Sequence, residues 1–388
     1  MKRNLTVRYS ITQFSYWAAA MGAASFATTY LLDKGLGSGL IGLLLAVSGL
    51  LSCVTSPVMA SFADRTKKFI LPQMMLALSA LCIVCFALQL LPGLPVMVAG
   101  ILYILGMWAN DAVHPLLNAL NVACDASGYP INFGIARGLG SVASATSALV
   151  LGHILARWGS TWMFVFLIFF RVVSMIAIAG FPKLEKTLSV QGTTIDQSCS
   201  IFEFFTRYKW YCISILGIGF LGMFHAMTET YLISVMERLG GDSSNVGTAL
   251  FISCISGSPV VFFYSLFRKR INKENLLKIS ALTFLLKSVL FCIAPTIGFV
   301  YLLELLQTTS YGFLGPTQVF FAGSKVRPAD MVKGQAFITA AYSLGCSGGN
   351  FAGGQLLNIS VEAMLFSGVA MALTGTLILF LTLHKTDF

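Results

Sequence analysis

Three polar side chains recur along one face of an otherwise apolar stretch: Asp111, His114 and Asn118, at spacings of three and four residues. This spacing places them on one stripe of a helix. A carboxylate, an imidazole and an amide can bind a polar solute by hydrogen bonds, and an acid in an apolar setting can carry a proton. The stripe therefore predicts a wet cavity, with Asp111 as a candidate proton carrier.

A second apolar stretch, INFGIARGLGSVASA, contains Arg137, and Ser141 and Ser144 continue its face at helical spacing. A guanidinium cannot lose its proton there, so the charge needs a partner or a use. Its planar fork suits vicinal hydroxyls or a carboxylate. An arginine at this depth can also snorkel to the lipid headgroups. We predict that Arg137 and the two serines bind the solute.

The second half of the chain carries its own polar groups within apolar stretches. Glu229 follows His225 by one helical turn, Lys287 stands alone, and Glu304 shares a face with Gln307. Lys287 and Gln307 are candidate solute ligands. Glu229, Glu304 and His225 are candidates, beside Asp111, for proton coupling.

Acids and bases within the apolar stretches are equal in number. The acids are Asp111, Glu229 and Glu304, and the bases are Arg137, Arg171 and Lys287. Equal numbers indicate ion pairs, and we expect Asp111 to be the counter-ion of Arg137 or Arg171. Each pair could instead be a purely structural salt bridge, because buried ions need partners whether or not they take part in transport.

The elements that must position these groups are membrane spans. The chain has 388 residues, 56% hydrophobic and 10% charged, with a mean hydropathy of +0.82, whereas soluble domains are about 25% charged. Twelve apolar segments, each long enough to cross a bilayer as a helix, predict an all-α membrane protein. They run near residues 7–32, 39–62, 69–91, 96–120, 133–156, 160–181, 210–236, 246–267, 276–294, 296–322, 334–357 and 363–383.

The basic residues predict the topology. Of the 25 Lys and Arg, three (Lys34, Arg157 and Arg238) fall on the outside if the N-terminus is cytoplasmic. Three more lie within spans, and all the others lie inside. This asymmetry predicts cytoplasmic termini, in the inner membrane of a bacterium. The net charge of +10 then reflects the inside bias, and no nucleic-acid partner is needed to explain it.

The sequence also indicates that the chain is a duplicated six-helix unit. Tyr30-Leu-Leu, Gly42 and Ser56-Pro-Val are echoed by Tyr231-Leu-Ile, Gly247 and Ser258-Pro-Val. We predict two six-helix bundles, residues 1–182 and 209–388, joined by a cytoplasmic linker at 183–208. Paired six-span repeats are typical of transporters that rock about a midplane cavity.

A short motif carries a family resemblance. Ala60-Ser-Phe-Ala-Asp-Arg-Thr-Lys-Lys68 resembles the loop between helices two and three of the major facilitator superfamily, although Ala60 and Lys67 replace the usual glycines. A carboxylate at a helix end facing a cationic turn can form a latch that breaks on opening. Asp64, Arg65 and Lys68 are therefore the predicted gating residues.

The resemblance narrows to the oligosaccharide:proton symporter branch, which includes lactose permease, through Pro115-Leu-Leu-Asn118 and Phe133-Gly-Ile-Ala-Arg-Gly-Leu-Gly140. It implies that the positions of Asn118 and Arg137 hold sugar hydroxyls. The chain departs from the branch where it has Ser144 for an aromatic residue, Asn118 for a carboxylate, Gln307 for a histidine and Gly257 for a glutamate. The proton-coupling groups have therefore moved, or coupling has been lost.

The sequence predicts a secondary transporter of a small polar solute, a sugar or glycoside, driven by protons, with Trp17 available to stack on a sugar ring. The alternatives are an organic anion carrier or uncoupled facilitator that uses Arg137 and Lys287 as a cationic clamp, and a receptor that binds without flux. No GxSxG, HExxH or P-loop motif indicates an enzyme. The Cys82–Cys85 pair has no ligand partners for a metal, so no cofactor is expected, and nothing requires more than a monomer.

Overall fold

The computed structural model describes residues 5–65, 71–181 and 199–385, apart from the side chains of residues 56, 57, 60–65 and 126. These residues form helices joined by short turns. The helices are α1 (Thr6–Ser25), α2 (Ala27–Asp33), α3 (Ser38–Arg65), α4 (Leu71–Leu88), α5 (Val96–Ala126), α6 (Phe133–Trp158), α7 (Trp162–Ala179), α8 (Ile201–Arg207), α9 (Lys209–Thr230), α10 (Leu232–Arg238), α11 (Ser243–Phe262), α12 (Tyr264–Arg270), α13 (Lys273–Cys292), α14 (Ile297–Glu304), α15 (Tyr311–Lys325), α16 (Met331–Leu357) and α17 (Val361–Thr382).

The chain divides into two compact units. One unit comprises Met1–Val190 and Gly241–Phe251, and the other comprises Gln191–Gly240 and Ile252–Phe388. Helix α11 therefore begins in the first unit and ends in the second. Helix α8 lies in the stretch that the sequence analysis assigns to the linker, and the side chain of Ser200 caps it by accepting a hydrogen bond from Glu203 N at 3.1 Å.

Among the described residues, nine helices are long and apolar enough to cross a membrane. The predicted first, tenth and eleventh spans correspond to α1 with α2, to α14 with α15, and to α16. Four predicted spans are interrupted where the sequence suggested continuous helices: at Phe26, Tyr231, Phe263 and the 3-10 turn Leu305–Thr308. At Tyr231 the backbone N–H still donates to Met227 O at 3.2 Å, so that interruption is a bend and not an end.

The two halves of the sequence repeat one another with a constant offset through their first two spans. Four pairs of corresponding positions differ in residue number by 205, as in 240 minus 35. They are the bends at Phe26 and Tyr231, the turn glycines Gly35 and Gly240, the starts of α3 and α11, and the ends of α3 and α12. Both glycines have positive φ, 86° and 77°, which glycine adopts without steric cost. The offset corrects the predicted alignment, because Tyr231 matches Phe26 and not Tyr30.

Helices α9 and α16 cross at very short range at three glycines of α16. A methyl group at Gly345 would overlap Gly219 O, and one at Gly349 would overlap Met223 O. A methyl group at Gly353 would lie 2.9 Å from Met227 Cγ. Small residues at i, i+4 and i+8 thus let two backbones touch.

Asp330, in the turn between α15 and α16, anchors the chain that leads into α8. Its fully buried carboxylate accepts hydrogen bonds from Cys199 N at 2.9 Å, Tyr208 OH at 2.7 Å and Arg327 Nη2 at 3.1 Å. Burial acts to raise the pKa of Asp330, but these hydrogen bonds outweigh it and hold the pKa well below its ordinary value. The carboxylate is therefore charged at neutral pH and fixes this turn to the start of the second unit.

Candidate functional site

An aromatic cluster lies inside the first unit, where α1 meets α5 and α6. The ring of His114 is stacked on Tyr16, with centroids 5.8 Å apart, and meets Trp17 edge to face at 5.3 Å. Trp17 Nε1 donates to Gln13 Oε1 at 2.9 Å. A methyl group at Gly140 would lie 2.6 Å from Trp17 Cδ1, so the glycine leaves room for the indole. The indole is therefore held in one orientation by a hydrogen bond and by the notch in α6.

Arg137 lies against this cluster. Its Cζ atom is 4.2 Å from the centroid of the Trp17 ring, and its Nη1 atom donates to Ser141 Oγ at 3.2 Å. The side chain is half-buried, and a guanidinium over an indole face is an energetically favourable cation–π contact. Ser144 donates instead to Gly140 O, at 3.2 Å, within its own helix. The structure thus brings Arg137, Ser141, Trp17 and His114 together.

Arg171 of α7 forms the deepest charge of the first unit, with no exposed surface. Its Nη2 atom donates to Asn110 Oδ1, and its Cζ atom lies 4.9 Å from the Tyr16 ring. Asn110 Nδ2 in turn donates to Asp111 Oδ1 at 3.1 Å. In the described part of the chain, no ion pair joins Asp111 to Arg137 or Arg171. Asp111 and Arg171 are therefore linked through the amide of Asn110, and the pairing of Asp111 with a cation of this unit stays a prediction.

A second polar cluster lies inside the second unit. Lys287 Nζ lies 2.8 Å from Glu304 Oε2 and donates to Gln307 Oε1 at 3.2 Å. Lys287 and Glu304 are each 2% exposed. Glu304 ends α14, and Gln307 lies in the 3-10 turn that follows. The acid and the amide therefore contact the same ammonium group at the point where the tenth span is interrupted.

Two further predicted residues lie near each other in the second unit. His225 is stacked on Tyr311, with centroids 4.9 Å apart, and its Nδ1 atom lies 4.0 Å from Glu229 Oε1. The Glu229 side chain keeps 28% of its surface exposed. Among the described residues no Lys or Arg lies within ion-pair distance of Glu229. The side chain of Glu229 is therefore more exposed than the side chain of Glu304, which is buried.

Other predicted site residues lie apart from these clusters or cannot be placed. Asn118 is half-buried on α5, one turn beyond His114. The proposed latch lies outside the described residues, since Asp64 and Arg65 lack described side chains and Lys68 falls in the undescribed stretch 66–70. Within the described ranges, no group of three His, Cys, Asp or Glu side chains could hold a metal ion.

The sequence analysis missed two uncharged residues that organise the first cluster. Gln13 orients Trp17, and Asn110 joins Asp111 to Arg171. The spacing of four between Gln13 and Trp17 was an available signal, since residues i and i+4 meet on a helix. Asn110 offered no such signal, because its two partners lie on different elements.

The comparisons with known proteins identify the family. The sequence profile of the MFS_1-like family matches residues 6–367. The chain belongs to this family. It is a major facilitator superfamily (MFS) transporter, a multi-pass membrane protein that moves small solutes and is not an enzyme. No curated protein matches its sequence.

Solved structures with the same fold cover this MFS transporter from end to end. The nucleoside transporter NupG superposes with a TM-score of 0.81 at 14% identity, over 98% of this chain and 99% of that chain. The POT family transporter PepTSo gives a TM-score of 0.73 at 12% identity over 99% of this chain and 98% of that chain. A bacterial homolog of the human lysosomal transporter Spinster gives 0.68 at 14% over 97% and 96%. The predicted all-α major facilitator fold is thereby confirmed.

Proposed function

We propose that this MFS transporter carries a sugar or glycoside and that protons drive the transport. The observation that carries the proposal is the Arg137 guanidinium held over the indole of Trp17, 4.2 Å from its centroid. Sugars combine hydroxyl groups with weakly positive C–H faces. A guanidinium fork complements the hydroxyls, and an aromatic surface, negative on its face, complements the C–H groups. His114, Asn118, Ser141 and Ser144 would complete the polar surface in this unit.

The half-buried acids are our candidates for the proton site. Glu304 already has Lys287 as its partner at 2.8 Å. Asp111 and Glu229, by contrast, have no direct cationic partner from Lys or Arg among the described residues. Protonation of an acid without a fixed cation leaves no cation unpaired, whereas protonation of Glu304 would leave Lys287 as an uncompensated buried charge. We therefore place coupling at Asp111 or Glu229, the latter with His225 beside it.

The second candidate is an organic anion carrier, coupled or uncoupled, with Arg137 and Lys287 as the clamp. The contact between Lys287 and Glu304 favours the sugar over this alternative, because the ammonium is already neutralised by a buried carboxylate. NupG is a nucleoside transporter, and nucleosides are themselves glycosides, so nucleosides belong in the substrate panel. The family resemblance to oligosaccharide:proton symporters supports the same broad class.

The deciding experiment is uptake by proteoliposomes of labelled sugars, nucleosides and organic anions, with and without an inward proton gradient. We expect accumulation of one glycoside class that an uncoupler abolishes. Equilibration that ignores the gradient would favour a facilitator, and preference for anions would favour the second candidate.

The matched variants test the binding role of Arg137. Arg137→Lys keeps the charge but loses the planar fork, and we expect at least a tenfold loss of uptake, or about 1.4 kcal/mol, with normal insertion. Arg157→Lys, at the exposed opposite end of α6, should transport like the wild type. Normal uptake by Arg137→Lys would remove Arg137 from the site.

A further inference from the structure

A groove on the first unit runs along the start of α1 and the end of α7. It encloses about 430 Å³, and its lining residues are Leu5, Val7, Arg8, Ile11, Val173, Ile176 and Ala177. Val7 and Ile176 are 64% and 69% exposed, so the apolar walls face outward. In a membrane protein, such walls meet lipid acyl chains.

Among the described residues that line the groove, Arg8 is the charged one, and its guanidinium has a defined position. A methyl group at Gly180, the C-cap of α7, would overlap the Nη1 and Cζ atoms of the Arg8 guanidinium. The missing side chain at Gly180 thus lets the guanidinium lie against the helix end. Arg8 lies in the first turn of α1 and Gly180 just after α7, so the cation sits at the end of both helices, at the level where headgroups lie.

The charged residues that flank Arg8 and Gly180 in the sequence are mainly basic. No carboxylate of the described residues forms an ion pair with it. The sequence places Lys2 and Arg3 before it and Lys183 shortly after Gly180. The positive-inside pattern predicts that this end faces the cytoplasm, where anionic lipids concentrate positive segments.

We propose that this groove binds an anionic phospholipid, with an acyl chain along the apolar walls and the phosphate on the Arg8 guanidinium. The phosphate accepts charge-assisted hydrogen bonds from a guanidinium better than from an ammonium, because the planar fork matches two phosphate oxygens. The acyl chain of a zwitterionic lipid would lie along the same apolar walls, but its headgroup carries a cation of its own beside the phosphate. The site therefore selects by headgroup charge, independently of which solute the transporter carries.

The test is native mass spectrometry of the delipidated full chain, titrated with dioleoylphosphatidylglycerol or dioleoylphosphatidylcholine. One arginine near an anionic surface predicts a preference of about fivefold for phosphatidylglycerol in the wild type. Arg8→Gln should abolish that preference. Arg157→Gln, which removes an exposed arginine at the opposite end of the unit, should keep it.

Gly180→Ala provides a second variant that keeps every charge. The methyl group meets only the end of a flexible side chain, so folding should persist while the guanidinium moves, and the preference should fall. Unchanged preference in Arg8→Gln, or in Gly180→Ala if Arg8→Gln does not fold, would overturn the proposal. An equal loss in Arg157→Gln would also overturn it, as would displacement of the lipid by millimolar inorganic phosphate, which would indicate a site for free anions.

Discussion

The buried ion pair of the second unit yields a prediction about stability. Lys287 Nζ and Glu304 Oε2 lie 2.8 Å apart, and both side chains are 3% exposed. We consider Lys287→Met, Glu304→Gln and the double variant. Methionine keeps the length of the lysine side chain and glutamine keeps the shape of the glutamate, so each change mainly removes a charge.

The magnitude follows from the separation and the burial. At an effective dielectric constant of about 20, two unit charges at this distance attract by about 6 kcal/mol. Desolvation costs several kcal/mol for each ion, so the intact pair comes close to balance against apolar side chains. Removing one partner leaves a buried charge uncompensated and should lower the free energy of unfolding by about 3–5 kcal/mol. The double variant removes both charges and should lie close to the wild type.

The assay is equilibrium unfolding of the purified protein in detergent by increasing SDS, followed by far-UV circular dichroism. Because each single variant should lose about 3–5 kcal/mol and the double variant almost nothing, the double-mutant cycle should give a coupling energy of about 6–10 kcal/mol. Lys278→Met, on the same helix but half-buried, should change stability by about 0.5 kcal/mol or less. Two single-variant effects that simply add in the double variant would refute the interpretation of Lys287 and Glu304 as one compensated pair.

Two further predictions concern the helix crossing and the anchored turn. Gly349→Ala should destabilise the second unit by about 1–3 kcal/mol, because the added methyl group would overlap Met223 O. The control Gly348→Ala should be tolerated, because its methyl group would lie 3.4 Å from Met223 Cε. Thermal unfolding compares the two variants, and equal melting temperatures would contradict the close crossing. Asp330→Asn should lower the free energy of unfolding by about 1–3 kcal/mol at neutral pH. Because folding lowers the pKa of Asp330, the stability that its carboxylate contributes is fully present above the unfolded pKa of about 4. That stability is lost as the pH falls through the lower folded pKa. Denaturant titrations from pH 7 to pH 3 should show the gap to wild type narrowing, and a gap that widens in acid would refute the role.

The sequence by itself determined the class of fold. Apolar segments of span length can satisfy their backbone groups inside a bilayer only as helices, and their composition is local information. The spacing of four between Gly345, Gly349 and Gly353 is also present in the sequence, and residues without a side chain let two helices approach closely. The pairing of Arg137 with Ser141 followed from a spacing of four on one helix.

Tertiary structure decided the partners that lie on different helices. Asp111 and Arg171 are joined through the amide of Asn110, and no periodicity in one helix reports which residue a neighbouring helix presents. Lys287 contacts both Glu304 and Gln307 beside the 3-10 turn Leu305–Thr308. In this turn Thr308 Oγ1 donates to Ser256 O at 2.9 Å, and Ser256 Oγ donates to Glu304 O at 3.2 Å. Hydropathy predicts one continuous span in that segment, because it carries no information about the hydrogen bonds that the interruption makes with Ser256 of another helix.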